Sequence, residues 1–192
     1  MLIHTSQRGD TLIEVMLAVV ILSAVTLGGF SIMNKGLGIS YGVLERTETR
    51  AQVSQQLELL TYIRDQYAQS IASGAGGSSY PATLWIDIRN NRASDPVAAN
   101  SAAPNVCTPS TPSKAFFIEP NTAPSTTYKL TNYTVSVPQT IPLPGNGLWI
   151  EAVPSPGATT VGYIDFYVKA CWNAIVGGQN ETISSTMRLY DR

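Results

Sequence analysis

The 192 residues are enough for one modest domain and a membrane anchor. Twelve Lys and Arg side chains against thirteen Asp and Glu give a formal charge of −1, so no strong positive field indicates nucleic-acid binding. The one histidine, His4, lies in a leader that we expect to be removed. The mature chain would then contain no histidine, the residue that most often serves as a general base or a metal ligand. We therefore expect no enzymatic activity, no catalytic residue, no cofactor and no metal site.

A polar leader, residues 1–9, precedes a long apolar run. Val15 to Met33 contains 19 uncharged residues, which as a helix would cover about 28 Å, close to one bilayer core. A secretory signal peptide normally has a shorter apolar core with its cleavage site after that core, whereas here the plausible cut precedes the run. Cleavage would leave the helix attached. Arg8 on one side and Lys35 on the other mildly favour a cytoplasmic leader, with the rest of the chain outside.

Glu14 is the residue of this segment that requires an explanation. A carboxylate in an apolar membrane segment costs roughly 2.5–3.5 kcal/mol when central, less near an end, and usually has a partner. A cut after Gly9 would create one, because the new α-amino group of Asp10 would lie one helical turn before Glu14. The amine and the carboxylate would then face each other within one subunit or between neighbours, and the intermolecular pair would order an assembly.

This junction resembles the class III signal of the type IV pilin family, which reads Gly, an aromatic residue, Thr-Leu-Ile-Glu and then an apolar helix. The matching residues are Gly9, Thr11, Leu12, Ile13 and Glu14. The resemblance extends from Arg8 to about Ser70. It implies cleavage between Gly9 and Asp10 by a membrane-embedded prepilin peptidase, usually with N-methylation of Asp10. It also implies that Glu14 guides subunits into register.

Asp10 departs from the family pattern, which usually has Phe at this position. Its carboxylate suits a helix N-terminus electrostatically, but it also offsets the amine that Glu14 would otherwise neutralise alone. The departure makes methylation of Asp10 less certain and disfavours an abundant shaft subunit. An ordinary signal-anchor protein, whose membrane helix begins with these residues by chance, is the alternative interpretation of the motif.

The chain continues without proline from Thr11 to Ser70, and 60 residues of helix would reach about 90 Å. In the second half, apolar residues recur every three or four positions and predict packing against a globular head. These residues are Val53, Leu57, Leu60, Ile63, Tyr67 and Ile71, while Glu45, Arg46, Glu48, Arg50, Glu58 and Arg64 are assigned to polar faces. Where the halves meet, a glycine cluster predicts either local bending or unwinding, or close helix packing in lipid. The cluster consists of Gly28, Gly29, Gly36, Gly38 and Gly42.

The stretch from Ser73 to Pro81 is rich in Gly and Ser and is predicted to end the long helix. Six strand candidates follow, separated by Pro- and Gly-containing turns. They are Leu84–Ile88, Ala115–Ile118, Tyr128–Val137, Leu148–Val153, Tyr163–Trp172 and Thr182–Leu189. The residues predicted to face the helix from the best strand are Ile164, Phe166, Val168, Ala170 and Trp172. The turn at Gly177–Asn180 makes a hairpin of the last two strands.

These elements predict an α+β, pilin-like fold. A long N-terminal helix, membrane-spanning in its first half, packs by its second half on an antiparallel β-sheet head. We divide the chain into the prepilin leader (1–9), a transmembrane and polymerisation helix (10–34), its amphipathic continuation (35–72) and a β-rich head (73–192). The head contains a Pro-, Ser- and Asn-rich loop at 90–113.

Two further sets of residues have more than one interpretation. Cys107 and Cys171 lack zinc-ligand spacing and, in an oxidising exterior, indicate first a disulfide; a free buried thiol pair is the alternative. Asp165, Glu181 and Asp191 supply possible calcium ligands, but their spacing matches no calcium loop, so solvated residues are favoured.

The sequence thus predicts a structural subunit, foremost a minor pilin of a type IV pilus. The alternatives are a pseudopilin of a type II secretion or DNA-uptake system, and a monomeric membrane-anchored surface binding protein. The expected partners are prepilin peptidase, other pilin subunits, an assembly platform protein, and membrane lipid before assembly. We expect a single-pass membrane protein with a cytoplasmic leader and an extracytoplasmic head, which later lies in a cell-surface pilus.

Overall fold

The computed structural model describes residues 10–92, 107–121, 127–134, 137–138, 141–155, 162–175 and 177–190. The chain divides into an anchor unit, Met1–Gly42, and a head unit, Val43–Arg192. The helices are α1 (Asp10–Ala72) and α2 (Ala82–Asn91). The strands are β1 (Phe116–Pro120), β2 (Tyr128–Asn132), β3 (Leu143–Pro144), β4 (Gly147–Pro154), β5 (Tyr163–Asn173) and β6 (Asn180–Tyr190).

Helix α1 confirms the predicted long helix and passes through the glycine cluster without interruption. The predicted unwinding is therefore absent from this structure. A Cβ atom built at Gly28, Gly29, Gly36 or Gly42 would meet nothing within 4 Å apart from the adjoining residues and the backbone of its own helical turns. The helix ends where the Gly- and Ser-rich stretch predicts, because Gly74, Gly76 and Gly77 adopt positive φ angles of 78°, 62° and 78° that favour glycine.

The prediction of a strand at Leu84–Ile88 is wrong, because this segment belongs to helix α2. A short apolar stretch fits either a strand or a buried turn of helix, and periodicity over five residues does not separate them. The residues that α2 buries are Ala82, Trp85 and Ile88, which lie three positions apart on one helical face. The Trp85 ring packs against Phe166 of β5 at a centroid distance of 5.8 Å.

The other strand predictions are confirmed, with shifted ends. The sheet order is β2-β1-β4-β5-β6, with antiparallel neighbours, and the short β3, which the sequence analysis missed, pairs in parallel with β4. Strand β2 ends at Asn132, short of the predicted Val137. The predicted β5–β6 hairpin is regular along its whole length, from Tyr163 opposite Tyr190 to Asn173 opposite Asn180.

The second half of α1 packs on one face of this sheet. Val53, Leu60 and Ile63 of the helix share one buried cluster with the β5 residues Ile164, Phe166, Val168 and Ala170. Trp172 is also buried, and its indole Nε1 lies 3.4 Å from the Glu45 carboxylate of α1. The predicted helix-facing side of β5 is confirmed.

Gln56 joins the helix to the sheet through two hydrogen bonds. Its Nε2 donates to the carbonyl oxygen of Ile118 in β1 at 3.0 Å, and the Ile118 N–H donates to its Oε1, also at 3.0 Å. The side chain is 1% exposed. A helical side chain therefore satisfies both backbone groups of a strand residue in the core, as a neighbouring strand would.

Replacing Gln56 by Leu should destabilise the head unit. The Ile118 N–H and C=O groups would lose these partners in the core, at a cost on the order of 1–3 kcal/mol for each unpaired group. Chemical unfolding of the full chain in detergent, followed by tryptophan fluorescence, measures the loss. The matched control is Gln55→Leu, the same change at the exposed neighbouring residue. Equal unfolding midpoints for the two variants would contradict the expectation.

Candidate assembly surface

The described part of the anchor unit is a helix whose apolar side chains are exposed on every side. Seventeen large apolar residues between Leu12 and Tyr41 are at least 48% exposed, and Leu27 and Ile32 reach 73%. A helix that is apolar on all faces belongs in a membrane or inside a larger assembly. Among the described residues, α1 is the helix long and apolar enough to cross a membrane, by length and composition.

Glu14 is the one charged residue between Asp10 and Lys35. It lies exposed in the first turns of α1, which begins at Asp10. The start of the helix is therefore four residues, or about 6 Å along the axis, from Glu14. Gly9, the predicted residue before the cut, and the Asp10 side chain lie outside the described residues. Cleavage at Gly9, modification of Asp10 and the assembly role of Glu14 remain predictions.

Cys107 and Cys171 are joined in the structure, with their Cα atoms 5.4 Å apart. They belong to a second buried cluster on the sheet face away from α1, together with Ala115, Phe117, Tyr133 and Trp149. The strand alternation places Cys171 opposite Trp172, as the sequence indicates. The bond thus attaches the segment beginning at Cys107 to the outer face of the sheet. Most of the predicted loop before it, residues 93–106, lies outside the described residues.

A buried ion pair lies under the same segment, and sequence analysis missed it. Glu151 of β4 is fully buried, and Lys169 of β5 places its Nζ 2.6 Å from the Glu151 carboxylate. The Ser110 N–H donates to the other carboxylate oxygen. Glu151 therefore binds both Lys169 and the segment that begins at Cys107, which is called the covering segment below. The sequence feature that could have indicated this pair is Glu151, a single acidic residue inside the apolar strand Leu148–Val153, because a buried carboxylate requires a partner.

The carboxylates considered for calcium do not come together. Asp165 is paired with Arg188 at 2.7 Å and Glu181 with Arg46 at 2.9 Å. Asp165 is seven residues along β5 from Trp172, the register partner of Glu181, a separation of about 23 Å. The hydrogen bond from Arg46 also holds the pKa of the Glu181 carboxyl below its usual range. Asp191 lies outside the described residues, within which no group of three or more His, Cys, Asp or Glu is placed to hold a metal.

The assignment of Glu45 to a polar helix face is wrong. Its carboxylate is 4% exposed and accepts hydrogen bonds from the Trp172 indole, at 3.4 Å, and the Ile175 N–H, at 3.2 Å. The residues buried on α1 fall at positions 45, 49, 53, 56, 60, 63, 67 and 70, a single stripe with spacings of three and four. Glu45 occupies the first position of this stripe, so helical periodicity outweighs the polarity of its side chain.

Residues 4–30 match the family model of the prokaryotic N-terminal methylation motif. No curated protein and no solved structure matches the chain. The matched segment contains the Gly9-Asp10 junction, Glu14 and most of the apolar run. Helix α1 begins within this segment, and the sheet follows later in the chain. The chain thus carries a prokaryotic N-terminal methylation motif, which supports a pilin-like or pseudopilin-like precursor, and its long apolar helix followed by an antiparallel sheet is a pilin-like arrangement.

Proposed function

We propose that this chain is a minor pilin, a structural subunit of a type IV pilus, made as a membrane precursor and polymerised through the exposed helix of its anchor unit. The observation that carries the proposal is the exposure of seventeen large apolar side chains, which begin inside the matched methylation motif and continue beyond its end at residue 30. At about 1.5–3 kcal/mol for each large side chain removed from water, this surface has to be covered. Lipid covers it before assembly, and neighbouring subunits cover it afterwards.

The length of the exposed surface favours assembly over a solitary anchor. Leu12 to Tyr41 is 30 residues, about 45 Å as a helix, whereas a bilayer core is about 30 Å thick. A tilt of about 40°, the upper end of the usual range, still leaves about 34 Å along the membrane normal. Helices of neighbouring subunits provide apolar cover for the excess. A monomeric membrane-anchored binding protein at an ordinary tilt of about 20° would leave about 12 Å of this surface outside the hydrocarbon core.

The first steps follow from the same motif. Prepilin peptidase removes residues 1–9, the new N-terminus at Asp10 takes the modification, and Glu14 pairs with an α-amino group of the assembling filament. The partners are then other pilin subunits and an assembly platform protein. The chain begins as a single-pass membrane protein with its leader in the cytoplasm and its head outside, and ends in a surface pilus.

Processing by the peptidase tests this proposal directly. Co-expression with an active prepilin peptidase should give a chain that begins at Asp10, as read by N-terminal sequencing and intact mass. Gly9→Trp should block the cut because a bulky side chain replaces the glycine before it. Gln7→Leu, a change in the same leader, should be processed normally. Retention of residues 1–9 in the unchanged chain would overturn the pilin assignment.

Fractionation separates the alternatives. A minor pilin should co-purify with sheared surface filaments. A pseudopilin should depend on a secretion or DNA-uptake machine and be missing from such filaments, and a monomeric anchored protein should remain in the membrane fraction without filament partners. Recovery of the processed chain only as a membrane monomer, in cells that make filaments, would overturn the assembly role.

A further inference from the structure

Strand β6 forms one edge of the sheet in the head unit. It pairs with β5 through all eleven of its residues, Asn180–Tyr190, and no other described strand pairs with its second side. In an antiparallel pair, every second residue of an edge strand directs its N–H and C=O groups away from the sheet. About five residues of β6 therefore present backbone hydrogen-bonding groups to an additional strand.

The opposite edge of the sheet, β2, has features that discourage the addition of a strand. It has only five residues, and its exposed Lys129 places the Nζ atom 2.8 Å from the Glu119 carboxylate of β1. Short length and an exposed lysine are common protections of an edge strand. Strand β6 is twice as long, and its residues 182–187 contain no charge, no proline and no glycine. Its register with β5 also continues without a bulge, so β6 lacks the protections that β2 has.

The two charged side chains of β6 are both held by partners within the head unit. Glu181 accepts two hydrogen bonds from Arg46 of α1, at 2.9 and 3.0 Å. Arg188 donates to the Asp165 carboxylate at 2.7 and 2.8 Å and lies 3.9 Å from the centroid of the Tyr163 ring. Each charge is compensated, so neither protects the edge as an unpaired charge would.

A positively charged groove lies between α1 and the first four residues of β6. Its lining residues are Arg46, Arg50, Asn180, Glu181, Thr182 and Ile183, all within the head unit. Arg50 follows Arg46 by one helical turn, a spacing at which like charges repel each other. It is exposed and has no hydrogen-bond or ionic partner in the part of the chain that the structure describes. Since Glu181 compensates Arg46, the groove retains the positive charge of Arg50.

We propose that the free edge of β6 binds an extended segment of a second protein as an added strand, and that Arg50 selects a segment with an acidic residue beside the groove. Backbone hydrogen bonds supply the affinity in this mode of recognition, and side chains supply the specificity. Glu181 and Ile183 share the sheet face that packs on α1, and residues opposite them on an added strand face the same way. A carboxylate at such a position meets the Arg50 guanidinium.

Hydrogen exchange of the full chain in detergent, measured by mass spectrometry over residues 180–190, tests the proposal with two synthetic peptides. The acidic probe is an eight-residue peptide that alternates Thr and Val and has one Asp near each end. The basic probe has Lys in place of both Asp residues. The acidic probe should slow exchange at about five amides of β6, those directed away from the sheet, and leave residues 128–132 of β2 unchanged.

Variants of Arg50 test the selection by charge. Arg50→Ala should weaken binding of the acidic probe by about threefold, as expected for the loss of one exposed ion pair. Arg50→Glu should reverse the preference, so that the basic probe binds more tightly than the acidic one. Lys35→Ala is the matched control, because it removes a positive charge from the same helix fifteen residues before Arg50 and should leave the affinity unchanged. The β6 amides that pair with β5 should stay protected in every variant, which shows that the head remains folded.

Three results would overturn the proposal. Unchanged exchange of residues 180–190 with both probes would show that the edge does not accept a strand. Equal affinity of the unchanged chain for the two probes would exclude selection by Arg50. Slower exchange of residues 180–190 that increases with protein concentration, without any probe, would assign the edge to a second copy of this chain instead of a second protein.

Discussion

Glu14→Ala should insert into membranes at least as well as the unchanged chain but enter filaments about tenfold less, or worse. Insertion improves because the variant removes a carboxylate from an apolar helix. Assembly suffers because the neighbour's α-amino group loses its counter-charge where little water screens the pair. A loss of tenfold corresponds to only about 1.4 kcal/mol, which one unpaired charge in such surroundings readily exceeds. The ratio of sheared-filament to membrane protein measures the effect.

Two companion variants separate charge from polarity in this test. Glu14→Gln keeps the shape and the hydrogen-bonding oxygen but removes the charge, and it should assemble poorly as well. Ser23→Ala is the control for altering a polar residue of the same helix, because the Ser23 hydroxyl donates only to the Val19 carbonyl one turn earlier. Asp10→Asn tests whether the additional negative charge at the N-terminus matters. Filament entry of Glu14→Ala at the level of the unchanged chain would show that another group sets the register.

Loss of the Cys107–Cys171 bond should lower the free energy of unfolding of the head unit by about 4 kcal/mol. The two residues are 64 positions apart, and the loop that they close has an entropy in the unfolded chain worth about that much on the loop-closure account. Chemical unfolding of the double variant Cys107→Ala, Cys171→Ala, in detergent, measures the change. Chemical reduction of the unchanged chain should shift its midpoint in the same direction.

Thiol titration gives the chemical control for this prediction. Denatured protein recovered from an oxidising compartment should show no reactive thiol before reduction and two after it. Two reactive thiols before reduction would mean that the pair is not oxidised there. In that case the covering segment would depend on the Glu151 contacts alone, and Glu151→Gln would be expected to release it.

The features that sequence predicted well depend on local chemistry. The end of α1 could be located because several glycines occur together and three of them take φ angles that favour glycine. The faces of β5 could be assigned because its apolar and polar residues alternate over ten positions, and a one-residue shift would expose the whole apolar set. The long apolar helix is likewise a property of one continuous segment, while the role of Glu14 within it stays a prediction.

The features that sequence missed depend on partners distant in the chain. Nothing in the sequence around Gln56 indicates that its amide hydrogen-bonds to the Ile118 backbone, which is 62 positions away. Glu45 was assigned by polarity to the surface, although its partners Trp172 and Ile175 lie more than 120 positions later. Strand β3 has two residues and exists only through its pairing with β4. Helix α2 is short enough that its packing against Phe166 and Tyr67, rather than its local pattern, selects its conformation.

The paired hydrogen bonds of Gln56 have a mechanical consequence. Sliding α1 along β1 by one residue, a 1.5 Å step with a turn of about 100°, would break both bonds to Ile118 at once. Tension along the helix axis therefore acts in shear on both hydrogen bonds and, at the same time, on the packing of the buried α1 residues beside them. In a filament under tension, the part of α1 within the head unit would then carry force into the sheet without slipping, and the subunit would yield by unfolding of the head rather than by extraction of the helix.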